Sequence, residues 1–214
     1  MMNHARLGVG VEGHAVAERA YQAALAYARE RVQSRDIGGH SKTPVTIIHH
    51  PDVRRMLLVQ KATLAAQRAL YMQAAAAIDT AHGHPNADEA ARAEAVLNFL
   101  IPIVKSWCTD NGTVLTNLAM QVYGGMGYVE ETGAAQYVRD VRITPIYEGA
   151  NGIQALDLIG RKTAADGGAV ARALLADGQS VAAKLASVDA ELGAQLQQAL
   201  ALAEQSVADI LAQM

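Results

Sequence analysis

Val16-Ala17-Glu18-Arg19-Ala20-Tyr21-Gln22-Ala23-Ala24-Leu25-Ala26-Tyr27-Ala28 sets Val16, Ala20, Ala23, Ala24, Tyr27 and Ala28 three and four residues apart. Side chains at that interval share one face of an α-helix, so the spacing predicts an amphipathic helix over residues 14–33. Next, Asp36-Ile37-Gly38-Gly39-His40-Ser41-Lys42-Thr43-Pro44 reads as a loop. A second helix follows Pro51, with Val53, Met56, Leu57, Ala62, Leu64, Ala65, Leu70 and Ala74 as its apolar positions. It is expected to stop near Gly83-His84-Pro85. A third should start at Asn86 or Asp88 and reach Met120, kinked or divided at Pro102 and Gly112. Tyr123-Gly124-Gly125-Met126-Gly127-Tyr128 is too glycine-rich for a helix interior, and short helices are expected around residues 134–141 and 151–162. Beyond Asp166-Gly167-Gly168, Val181, Leu185, Val188, Leu192, Leu196 and Leu200 form one apolar stripe on a long helix or helical hairpin. The expectation is an all-α antiparallel bundle.

The composition agrees. Of 214 residues, 51% are hydrophobic and only 4% aromatic, which leaves a sandwich or barrel poorly supported and disorder without a basis. A net charge of −3 and a pI near 6.1 argue against a nucleic-acid partner, which would need a basic face. The single cysteine, Cys108, rules out an intrachain disulfide and fits a reducing, cytoplasmic compartment. Apolar runs fall well short of the ~20 residues of a membrane span, and no secretory leader is read at the start.

Three patterns carry candidate chemistry. Gly8-Val9-Gly10-Val11-Glu12-Gly13 matches the dinucleotide fingerprint, but no apolar strand precedes it and no βαβ unit follows. The glycines are better read as a face for close helix packing. No glutamate has a histidine three residues later, so the di-iron pattern is absent and no metal site is expected. Glu148 lies among Ile143, Ile146 and Ile153. Desolvation in such a setting favours the neutral acid, which makes a carboxylate a base useful near neutral pH.

Tyr147-Glu148-Gly149-Ala150-Asn151-Gly152-Ile153-Gln154, the loop Gln121-Val122-Tyr123-Gly124-Gly125-Met126-Gly127-Tyr128 and the intervening Tyr137-Val138-Arg139-Asp140 resemble the acyl-CoA dehydrogenase C-terminal domain. Ala26-Tyr27-Ala28-Arg29-Glu30-Arg31-Val32-Gln33 resembles the first bundle helix of that family. Asn3-His4-Ala5-Arg6-Leu7-Gly8 and His50-Pro51-Asp52-Val53-Arg54-Arg55-Met56-Leu57 most resemble the branch that contains 3-methylmercaptopropionyl-CoA dehydrogenase. The resemblance covers residues 1–162 and implies a four-helix bundle, with residues 163–214 beginning a helical extension. It implies α,β-desaturation of an acyl-CoA thioester, FAD as hydride acceptor, an electron-transfer flavoprotein as a partner, and a homo-oligomer. Glu148 would be the base, Tyr147 and Gly149 would flank the substrate, and Arg6 would reach it. Arg31 and Gln33 would hold the FAD pyrophosphate, with Gln121, Gly124 and Gly125 near its adenosine end.

The chain departs from the family pattern in places. Ser34-Arg35 stands where Phe-Gly is common, the loop to Pro51 is longer, and Ala150 and Gly152 replace polar residues expected near flavin. The family's N-terminal helical and middle β-domains have no counterpart in the sequence, which therefore reads as a fragment. A non-catalytic helical oligomerisation module is the alternative, and such a module would have no need of Glu148.

Overall fold

The computed structural model describes residues 2–213. Among them the ordered elements are helical, and the β contact is one isolated bridge, Val32–Thr46. The all-α expectation holds. The long helices are α1 (Met2–Glu30), α2 (Pro51–Gly83) and α3 (Ala87–Val122). The short α4 (Gly125–Tyr128), α5 (Ala134–Val141) and α6 (Asn151–Asp157) follow, and α7 (Ala169–Ala186) and α8 (Ala190–Ala212) close the chain. No helix among the described residues is long and apolar enough to cross a membrane.

Two compact units divide the chain: residues 1–76 with 103–151, and residues 77–102 with 152–214. The first is an up-down bundle of α1, α5 and the parts of α2 and α3 that lie within it. Its core joins Ala17, Ala20, Ala24 and Ala28 of α1 to Met56, Leu57 and Leu64 of α2 and to Leu115, Ala119 and Val122 of α3. The alanines let the backbones approach closely, and the larger leucines fill the facing positions. His14 meets Gln67, whereas Tyr21 and Leu25 share a hollow with Leu57 and Lys61, so α1 and α2 run antiparallel.

The first helix starts twelve residues earlier than the spacing predicts, at Met2 instead of residue 14. The fingerprint glycines therefore lie inside it. A Cβ on Gly10 would sit 2.8 Å from Val104, one on Gly13 3.0 Å from the Thr109 backbone, and one on Gly112 2.8 Å from the Gly13 carbonyl oxygen. These glycines make the crossing of α1 on α3, and the described residues before them are helical. For the same reason α3 is not divided at Gly112: the close contact that excludes a side chain also holds the helix together. It runs through Pro102 as well, amid the buried Leu100, Ile101 and Val104. Its start is capped by Asn86, whose Oδ1 accepts from the Asp88 amide at 2.8 Å.

In the second unit α7 and α8 form the hairpin. Asp189 caps α8 by accepting from the Leu192 amide at 3.0 Å, and Gly193 abuts Ala186, where a Cβ would fall 2.6 Å from the backbone. The expected stripe is broken at this turn. Val188 is 86% exposed and Val181 56%, because small residues (Ala182, Gly193) make the contact instead.

Candidate functional site

The segment after α1 folds back on itself through main-chain bonds. The Gln33 amide donates to the Val45 carbonyl at 3.0 Å, the Val45 amide to the Ser34 carbonyl at 2.9 Å, and the Ile47 amide to the Arg31 carbonyl at 2.8 Å. The His50 ring adds Nε2–H···O to the Gln33 carbonyl at 2.8 Å, since a carbonyl only accepts. Ser34 takes a positive φ of 62° in this ladder.

A cleft of about 440 Å³ opens beside it. Arg31, Gln33, Gln121 and Gly124 all line it, so two segments far apart in sequence converge. Gly125 begins α4 directly after this lining. Gly124 takes a φ of +61°, which turns the chain out of α3 beside the cleft. Gly127 is fixed by contact: a Cβ there would lie 2.2 Å from the Met120 carbonyl oxygen. Tyr27 and Tyr123 stack at 4.2 Å and form an aromatic wall. Burial raises the Tyr123 phenol above its usual range, with Tyr137 and Tyr27 adding to the effect.

The residues pointing to an anionic ligand also include Arg35 and His50, which line the same cleft. The sequence reading missed both. Ser34-Arg35 was visible only as a departure, and the long loop hid the return of His50 towards Gln33. Among the described residues no group of three His, Cys, Asp or Glu side chains could hold a metal ion.

Glu148 sits elsewhere, in the turn between α5 and α6. It has a φ of 55° and Gly149 one of 87°, two successive left-handed residues. A non-glycine residue there is strained and is kept by its surroundings. Glu148 is exposed in this chain, as are Ile143 and Ile146, so the expected apolar enclosure is not formed by these neighbours. Tyr147 points its hydroxyl at Glu12 and donates to it. That bond, then burial and the two glutamate charges, pushes the phenol up to about 12. Arg6 is half-buried on α1, and its charge is felt at Lys105.

A family model described as acyl-CoA dehydrogenase, C-terminal domain, matches residues 1–163. The chain belongs to the acyl-CoA dehydrogenase family. This is an oxidoreductase family, and the bundle is its C-terminal helical domain. The chain is 52% identical to 3-methylmercaptopropionyl-CoA dehydrogenase of Ruegeria pomeroyi over 174 residues, 80% of this chain and 29% of that one. Butyryl-CoA dehydrogenase from Megasphaera elsdenii has a similar structure, with a TM-score of 0.54 at 28% identity over 74% of this chain and 36% of that one. Caenorhabditis elegans ACDH-11, solved in complex with C11-CoA, reaches a TM-score of 0.69 at 20% identity, over 92% of this chain and 32% of that one. This last likeness shows the fold alone. The chain spans 29% of the length of its Ruegeria relative.

Proposed function

We propose that this chain supplies the base and part of the cofactor envelope of an acyl-CoA dehydrogenase that introduces an α,β double bond into an acyl-CoA thioester. The observation that carries the reading is the convergence of Arg31, Gln33, Gln121 and Gly124 on one cleft. Its donor set suits a dinucleotide such as FAD: guanidinium groups for a pyrophosphate, side-chain amide donors beside them, and an aromatic wall. Arginine can donate two parallel bonds to phosphate oxygens. Arg31 and Gln33 hold the pyrophosphate, and Gln121, Gly124 and Gly125 approach the adenosine end. FAD, when bound, supplies the acceptor for the hydride that leaves the β carbon.

Glu148 takes the α proton. Exposed in this chain, its carboxylate becomes enclosed when substrate and the remaining domains cover it. Gly149 lets the main chain approach the thioester without a Cβ in the way, Tyr147 flanks the acyl group, and Arg6 reaches the substrate. Residues 1–162 form the catalytic bundle and 163–214 a helical extension. The whole enzyme is a cytoplasmic homo-oligomer that passes its electrons to an electron-transfer flavoprotein or a similar acceptor.

The test is anaerobic mixing of an intact enzyme containing this domain with acyl-CoA. Glu148→Gln keeps the shape and removes the proton acceptor. Flavin bleaching should slow by about 10²–10⁴-fold while ligand binding persists. Bleaching at a near-normal rate would overturn the assignment.

A further inference from the structure

The turn that carries Glu148 holds that residue at a strained φ of 55° and leaves it exposed, so contacts around it must hold it in place. We propose that Asn151 and Glu12 are positioning residues for Glu148, Asn151 by locking into a buried lysine network and Glu12 by holding Tyr147. The proposal rests on the reading of Glu148 as the base.

Asn151 follows the turn by two residues, and every polar atom of its side chain is engaged. Its Oδ1 accepts from Lys105 Nζ at 2.8 Å. Its Nδ2 donates to Asp110 Oδ1 at 2.7 Å and to Thr109 Oγ1 at 3.0 Å. Its main-chain amide donates to the Pro145 carbonyl at 3.1 Å, closing the turn on itself. Lys105 is 0% exposed. Burial pulls its ammonium below the usual lysine range, while the Asp110 charge pushes the other way and Arg6 adds to the lowering. A buried cation is costly unless hydrogen-bonded, so Lys105 has a strong preference for the one position of Asn151 that satisfies it. That preference fixes the C-terminal end of the turn to α3.

The N-terminal side is fixed by a second tether. Glu12 is the one acidic residue of the fingerprint-like segment of α1. Its carboxylate accepts from the hydroxyl of Tyr147, the residue immediately before Glu148. Gly10 and Gly13, on either side, set how closely α1 lies on α3, the helix that also bears Lys105. The two tethers thus share one rigid support, and Glu148 is suspended between them. This gives the GxGxxG segment a role in catalysis that is unrelated to dinucleotide binding.

The test uses an intact holoenzyme containing this domain, with three readouts: flavin reduction by acyl-CoA, acyl-CoA affinity, and amide exchange over residues 143–151. Glu12→Ala changes an exposed residue and leaves the core intact, so it stays informative even if Asn151→Ala folds poorly. Each is expected to slow flavin reduction by about 10–100-fold, the scale of a ~1 Å misplacement. Acyl-CoA affinity and FAD content should stay within about threefold, and exchange should quicken. Glu12→Gln keeps an acceptor for Tyr147 and should restore most of the rate. Unchanged reduction in both alanine variants, with Glu148→Gln inactive, would overturn the proposal. If Glu148→Gln is itself active, the base reading falls and exchange alone decides: quickened exchange keeps the tethers, unchanged exchange removes them.

Discussion

At the scale of single residues, the proposed flavin contact can be tested on Arg31. Arg31 is exposed at the mouth of a cleft it shares with Arg35 and His50. A charge-assisted contact to phosphate is worth about 1.5–3 kcal/mol, against tenths for an ordinary surface arginine. Arg31→Ala in the intact enzyme should therefore weaken FAD retention by about 10–100-fold with helix content unchanged. Flavin occupancy after extensive dialysis checks this, and equal occupancy would remove the role. His14 offers a pH probe. Burial lowers its pKa from 6.5, with the Arg68 charge acting the same way, while its bond to Gln67 and the Glu18 charge oppose. The unfolded chain thus binds the proton more readily, so stability is fully present above pH 6.5 and is lost as pH falls below it. Melting temperatures between pH 7.5 and pH 5 should fall for the native chain, and the slope should flatten in His14→Leu.

Among elements, the α1–α3 crossing is set by glycine. Gly112→Ala must push a Cβ against the Gly13 carbonyl, so we expect a loss of about 1–3 kcal/mol. Gly8→Ala, on the same helix pair but with nothing within 4 Å of the added atom, should instead stabilise by up to about 1 kcal/mol. Thermal melts of the two variants should move in opposite directions. Identical shifts would mean that helix propensity, not the crossing, governs both. The apolar spacing of α1 was legible from residue 16 onward because alanine and tyrosine recur at helical intervals. Its first turns were not, because glycine carries no apolar signal and its use here is visible only once α3 is beside it.

For the whole molecule, several large apolar side chains are exposed. Leu58 is 61% exposed, Met72 57% and Tyr128 83%. Isolated large apolar residues are ordinary on a monomer, so the association expected here rests on the proposed homo-oligomer, whose contacts would cover such side chains. Expressed alone, the chain should be mostly helical, at least dimeric, and colourless after FAD is added and removed by desalting. A few pyrophosphate contacts at one open cleft fall short of the freedom lost on binding. Light scattering with an absorbance scan checks both expectations. A monomer would remove the first, and stoichiometric yellow flavin the second.

Composition and helical spacing alone determined the helical class, the loop after α1 and the span of α2, since burial of an apolar face leaves a period in the sequence, while the choice between one long helix and a hairpin near the C-terminus was left to the tertiary structure. The resemblance of Arg31, Gln33, Gln121 and Gly124 to family positions named the cleft lining in advance. Their convergence was decided by the tertiary structure, because ladder bonds from 31 to 47 and the Gly124 turn bring distant segments together without any local signature. The same holds for Arg35, His50, Glu12 and the Lys105–Asn151 pair. A lysine in an apolar run reads as a break in a helix face. Only the packed bundle shows that its ammonium is enclosed and that Asn151 is what it binds.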